Sequence, residues 1–147
     1  MKKIKKPAHT WNHLDLACEL AWCPPGKSTY TSRLYEGEAA GKGHWCGYVR
    51  IPSLPLLTTE DRNRIEIVTG ITISYHDNGP RKGDPAGNTQ TIGWDAGSLY
   101  GLRMGLREET EEAKQLAIAQ TERLAAALRH HLDAAGKQEE VTGHVDH

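Results

Sequence analysis

Phenylalanine is absent from the chain, and cysteine, methionine and long apolar runs are scarce. Each shortage excludes something. Without phenylalanine the core rests on Leu, Ile, Val and Ala, with some of the four tryptophans and five tyrosines. Those rings carry a polar atom that needs a partner when buried. No apolar stretch approaches the ~18–20 residues that a membrane-crossing helix needs, so no membrane partner is expected. Lys2, Lys3, Lys5 and Lys6 lead into Pro7-Ala8-His9-Thr10-Trp11, not into an apolar segment, so no secretory signal is expected. An excess of charge is missing too. The net charge of −1 argues against a bulk nucleic-acid binder, which is usually basic.

The three cysteines, Cys18, Cys23 and Cys46, form an odd set. Together with the missing signal they predict reduced thiols in a cytoplasm. Zinc wants four ligands at paired spacing. Cys18, Cys23, His44 and Cys46 can assemble such a set in principle, but their spacing does not require it, and no metal or cofactor is assigned. His44, His76, Cys46 and Asp95 can likewise be gathered into a Cys/His/Asp site with nothing in the spacing to demand it. No phosphate-binding glycine loop, no G-x-S-x-G and no H-E-x-x-H is present. No catalytic residue is assigned.

A chain of 147 residues predicts one domain. We expect a flexible N-terminal arm over 1–13, a single domain over 14–135 and a flexible tail over 136–147. Leu14, Leu16, Cys18, Leu20 and Trp22 alternate with polar residues, which predicts a half-buried strand. Cys23-Pro24-Pro25-Gly26 stops it. Ser28–Tyr35 reads as a weaker strand. His44–Pro52 is a short, strong one, in which Gly47 marks a bulge or a close approach to the backbone. Thr58 or Thr59 with Glu60 and Asp61 can cap a single helical turn.

Ile65–Ser98 holds the strongest strand pattern. Ile65–Tyr75 is dense in β-branched residues and predicts a central strand that Gly70 interrupts. Asp77–Asn88, with three glycines and two prolines, is a loop. Thr89–Asp95 returns as the antiparallel partner. Leu106–Ala135 is then one long helix. Ala117, Thr121, Leu124, Leu128 and Leu132 form its apolar stripe, acidic residues crowd its first turn, and Gly136 fits a C-cap. Strands followed by a helix predict an α+β fold: an antiparallel sheet of four to five strands with one long C-terminal helix packed on it.

The candidate ligand surface consists of aromatic rings beside glycines and of arginines. Trp94, Tyr100, Trp45 and Tyr48 supply the rings. Arg103, Arg107 and Arg123 lie at and after the helix entrance, and Arg81 and Lys82 ride on the long loop. Stacked rings hold a base and guanidinium forks hold phosphates, so a small nucleotide is the expected ligand. Some of these rings must instead be core, Trp45 foremost. Asp95, at a strand end beside a glycine, suits a turn, with general-base chemistry the alternative.

Three segments resemble a family of small phage and prophage proteins. They are Gly43-His44-Trp45-Cys46-Gly47-Tyr48-Val49-Arg50-Ile51-Pro52, Val68-Thr69-Gly70-Ile71-Thr72 and Ile92-Gly93-Trp94-Asp95-Ala96. The helical Ala119–Leu128 segment is similar to the closing helix of that family. The resemblance spans roughly residues 14–132. Two family histidines are replaced here, one by Thr69 and one in Gly97-Ser98, which implies loss of any chemistry they perform or an altered ligand preference. In size and element order the chain also resembles the Thoeris anti-defence type of phage protein. That resemblance implies a non-enzymatic sponge in the host cytoplasm. It would bind a cyclic ADP-ribose isomer or a cyclic oligonucleotide, at pockets of a homo-oligomer built through the C-terminal helix. The ligand-binding set is then Trp94, Asp95, Thr69, Tyr48, Arg103, Arg107 and Arg123. The alternatives are an enzyme using Asp95 and a phage protein that binds a host protein directly.

Overall fold

The computed structural model describes residues 9–24, 43–78, 87–97 and 104–145, with side chains up to residue 136. In chain order its elements are β1 (His9–His13), β2 (Leu16–Cys23), β3 (His44–Pro52), α1 (Thr59–Thr69), β4 (Tyr75–Asp77), β5 (Thr89–Asp95) and α2 (Glu111–Val145). The strands form one antiparallel sheet in the order β1-β2-β3-β5-β4, and α2 packs on β1, β2 and β3. This is the expected α+β architecture.

Alternation decides what each face of the sheet carries. Leu16, Cys18, Leu20 and Trp22 of β2, Trp45, Gly47, Val49 and Ile51 of β3, and Gln90, Ile92 and Trp94 of β5 share the face under α2. The helix answers with Ala113, Ala117, Thr121, Leu124, Ala125 and Leu128, all buried. Burying each leucine fully contributes roughly 1.5–3 kcal/mol. Leu132 packs on the same cluster, so the predicted stripe holds along its length.

The N-terminal arm was expected to be loose up to residue 13, but His9–His13 is a strand paired with β2. The two-residue turn between them is Leu14-Asp15, with φ of 52° and 64°. Such a turn needs positive φ at both central residues and usually advertises itself with Asn-Gly. Here neither residue is glycine, so the hairpin carries no local signal. It is held from a distance: Trp11 Nε1 donates to Glu122 Oε2 at 3.0 Å, and His13 Nδ1 lies 3.4 Å from the same oxygen on α2.

The largest correction falls on Ile65–Tyr75. Thr59–Thr69 is helix, not strand, and only Tyr75–Asp77 pairs with β5. The capping motif was legible, but it opens three turns and not one. Thr58 accepts from the Asp61 amide at 3.0 Å, and Asp61 accepts from the Thr58 amide at 3.0 Å. Gly70 ends the helix in the left-handed conformation, φ 72°, and donates to Glu66. Strong caps at both ends outweighed the strand preference of the β-branched Ile65, Ile67 and Val68, of which only Ile65 is buried.

Helix α2 differs at both ends from the predicted Leu106–Ala135. Thr110 caps its start, accepting from Ala113 N at 3.1 Å, so Leu106 stays in the preceding turn and accepts from Trp45 N. The helix then passes through Gly136. One internal glycine costs only about 1 kcal/mol relative to alanine, too little to stop it. The weaker strand predicted over Ser28–Tyr35 lies outside the described residues. No helix among the described residues is long and apolar enough to cross a membrane.

Helix α1 packs along α2, with His131 Nε2 3.9 Å from Asp61 Oδ2. Burial pushes the Asp61 carboxyl up, but hydrogen bonds from Thr58 and Arg64 and the nearby His131 outweigh it and hold the group below its ordinary value. A depressed carboxyl stabilises the fold above its unfolded pKa of ~3.9, and that contribution is lost as pH falls through the folded value. Asp61→Asn is therefore expected to lower stability at neutral pH by about 1 kcal/mol. The gap to the parent should close in acid, as read by urea unfolding across pH. An undiminished gap in acid contradicts this.

Candidate functional site

Of the predicted site residues, Trp94 lies on one face of the sheet and Tyr48 and Asp95 on the other, while Thr69, Arg107 and Arg123 lie off the sheet. Trp94 lies under α2 and is 1% exposed. Its Nε1 donates to Thr121 Oγ1 at 3.0 Å, and Thr121 donates on to Ala117 O at 2.9 Å. The ring has no open face for a base, so stacking on Trp94 is ruled out by packing. Trp45 is core as expected, with Nε1 donating to Glu108 O at 2.9 Å. The close approach expected at Gly47 is that of Trp94 and Thr121. A Cβ there would meet both their polar atoms far inside contact distance.

Arg107 is buried. Its Nε donates to Gly43 O at 3.2 Å and its Nη1 to Gly97 O at 3.3 Å. Burial pulls the guanidinium below its ordinary pKa. It clasps the segments entering β3 and leaving β5, a structural duty. Thr69 donates from Oγ1 to Ile65 O at 2.7 Å and accepts from Ile71 N at 3.1 Å, closing the end of α1. Its carbonyl accepts from Nη2 of Arg123, an exposed side chain of α2, at 3.0 Å. Thr69 and Arg123 are thus brought together, away from Tyr48 and Asp95. Arg103, Tyr100, Arg81 and Lys82 lie outside the described residues.

The face of the sheet away from α2 carries Glu19, Ala21 and Cys23 of β2, His44, Cys46, Tyr48 and Arg50 of β3, and Thr91, Gly93 and Asp95 of β5. Arg50 spans the strands to Glu19 at 2.8 Å. Tyr48 lies over Gly93, whose missing side chain makes room for its ring, and meets Tyr75 edge to face at 5.5 Å. Burial pushes the Tyr48 hydroxyl well above its ordinary pKa. The neighbouring Cys46 and Cys23 add to the effect, Cys46 also by a hydrogen bond. Asp95 is exposed, and its Oδ1 accepts from Gly97 N at 3.0 Å, the turn role that its position suggested.

At one end of this face stands a cluster of chemical groups. The Cys23 and Cys46 sulfurs are 3.0 Å apart, and with a ring nitrogen of His44 they form a group whose ligand atoms all lie within 4.8 Å of one another. Of the four groups weighed for zinc, Cys18 is excluded, because it faces α2. Its buried thiol is pushed up to about 11, by burial first and by Glu122 second. Of the Cys/His/Asp set, His76 is drawn away, with Nε2 donating to Gln90 Oε1 at 2.8 Å. Strand parity carried this information. Alternation through Leu14–Trp22 sets Cys18 with the leucines and Cys23 on the reverse face, and His44 and Cys46, two apart, must share a face.

Comparison of the chain with family models, with curated proteins and with solved structures gave no match.

The seat of Trp94 gives a direct check. Gly47→Ala forces a methyl group into the indole and the Thr121 hydroxyl, and overpacking of this kind costs ~1–3 kcal/mol. Thr121→Val keeps the shape but orphans the Trp94 N–H, for roughly 1–3 kcal/mol. Both losses are expected as lower midpoints in chemical denaturation, with unchanged far-UV spectra. A neutral Gly47→Ala contradicts the packing described.

Proposed function

We propose that the protein acts by binding and holding a nucleotide-type immune signal, a cyclic ADP-ribose isomer or a cyclic oligonucleotide, without cleaving it. On this reading it is a phage counter-defence protein of the host cytoplasm and a homo-oligomer packed through α2. The observation that supports the reading is the meeting of Thr69 and Arg123. The exposed Arg123 fork spends a donor on the Thr69 carbonyl, which orients the guanidinium at the end of α1. An arginine fork carries five N–H donors, so others are available to a phosphate. On the same end of α1, Ile67 and Val68 are 84% and 74% exposed, an apolar surface against which a base or ribose can lie. The ligand surface therefore moves from Trp94, which is sealed, to the α1–α2 edge.

The test combines ligand release with titration. Heating the purified protein and chromatographing the supernatant is expected to return an unaltered nucleotide. Calorimetric titration with cyclic ADP-ribose isomers and cyclic di- and trinucleotides then identifies it. Arg123→Glu should weaken binding at least tenfold, a change of about 1.4 kcal/mol. Trp94→Phe should lower stability and leave affinity alone. Recovery of a cleaved nucleotide would overturn sequestration and favour an enzyme using Asp95.

The exposure of Ile67 and Val68 favours a second reading, direct binding of a host protein through α1. Nucleotide-free protein that captures one defined host protein, and loses it on Val68→Asp, supports that reading over the first. A native mass spectrum separates the two at once, since it records both oligomeric state and any retained nucleotide.

A further inference from the structure

We infer that Cys23, His44 and Cys46 form a binding site for a divalent transition-metal ion of zinc-like preference. The site is independent of the nucleotide reading. Its donors come from two neighbouring strands and sit on the sheet face opposite α2, where strand parity gathers them. Both cysteines are buried and His44 is half-buried, so the donors are withdrawn from bulk water while one edge stays accessible.

The donor chemistry selects the ion. Two thiolates and an imidazole form a soft to borderline set, which suits Zn²⁺ and disfavours Mg²⁺ or Ca²⁺. The geometry is close to what such an ion needs. Two sulfurs each ~2.3 Å from a tetrahedral zinc stand about 3.8 Å apart. From their 3.0 Å separation, the Cys23 and Cys46 sulfurs reach that spacing by small side-chain rotations. The two cysteines are diagonal partners in the ladder, since Cys23 faces His44 and Cys46 faces Ala21. Diagonal positions are typically ~7–8 Å apart, wider than the Cα span a disulfide ordinarily bridges, and an ion between the sulfurs accommodates that width.

The surroundings also fit. Tyr48 stands two residues from Cys46 on the same face of β3, close enough for the sulfur to act on its hydroxyl, and so is placed to steady a metal-bound thiolate as an outer partner. Asp95 faces Cys46 across the ladder, and its Oδ1 and the His44 ring both lie within 3.4 Å of the point where a Cβ on Gly97 would sit. Gly97 keeps the space between carboxylate and imidazole clear. Bound there, the ion would tie β2 to β3 through side chains, and part of its binding energy would appear as folding stability.

The experiment uses the full chain, stripped with chelator, kept reduced and confirmed to hold three free thiols. Cobalt(II) serves as the spectroscopic probe and zinc as its competitor. One cobalt per chain is expected, with thiolate-to-cobalt charge-transfer absorption and the intense visible bands of a tetrahedral ion, both erased by zinc. Cys46→Ser and Cys23→Ser should lose the charge-transfer band. Tyr48→Phe should weaken binding ~10–100-fold, as loss of an outer-shell partner does. Cys18→Ala should bind as the parent does. His44→Cys keeps a full donor set and should bind with a stronger charge-transfer band, so the site stays testable even if the serine variants misfold. Binding should also weaken as pH falls, because protons compete for the sulfurs and the imidazole. The inference is overturned if the reduced parent shows no tetrahedral cobalt spectrum, or if Cys18→Ala abolishes it while Cys46→Ser does not.

Discussion

The contact on which the fold depends is the seating of Trp94 and Thr121 on Gly47. An indole from β5 and a hydroxyl from α2 share the space where a β3 side chain would stand. The indole N–H donates to the hydroxyl, and the hydroxyl donates on to a helix carbonyl, so both polar side-chain groups of this buried junction are paired. With no phenylalanine available, the core uses tryptophans and must satisfy each N–H. Trp45 solves the same problem with the Glu108 carbonyl. Both solutions tie the sheet to the segment around α2, and together with Glu122 holding β1 they set the helix across three strands.

Because α2 takes one face of the sheet, the chemistry is sorted onto the other. Every second residue of β2, β3 and β5 faces away from α2, and among those residues are two thiols, an imidazole, a phenol and a carboxylate. The same sorting makes Cys18 inert: it is a packing residue with a thiol held protonated by burial. The arginines are sorted as well. Arg107 is consumed by two backbone carbonyls in the interior, whereas Arg123 stays outside, where α1 meets α2. One aromatic-plus-arginine surface thus resolves into two separate regions with different chemistry.

Gln90 shows how far a polar residue can serve as structure. Its amide donates to the Pro52 and Pro55 carbonyls at 2.9 and 2.8 Å, and its oxygen accepts from Leu57 N and His76. This fully bonded side chain pins the irregular segment between β3 and α1. It also removes His76 from any site chemistry. A lone buried glutamine within a strand pattern gives no local hint of such a role, since its partners lie more than thirty residues away in sequence or across the sheet.

What the sequence determined by itself was whatever has a short period or a local cap. The strands His44–Pro52 and Thr89–Asp95, the stripe on α2 and the capping pair Thr58 and Asp61 rest on neighbours within a few residues, and all were legible; the glycine at position 47 marked a bulge or a close approach without naming Trp94 and Thr121 as what approaches. Tertiary structure decided the rest. The β1 hairpin needs Glu122 from far along the chain. The β-branched stretch of α1 was free to be helix because only Ile65 had to be buried. Trp94 was a stacking platform or a core residue until α2 covered it. The grouping of Cys23 with His44 and Cys46 follows from register between strands, which local alternation restricts to one face but cannot align.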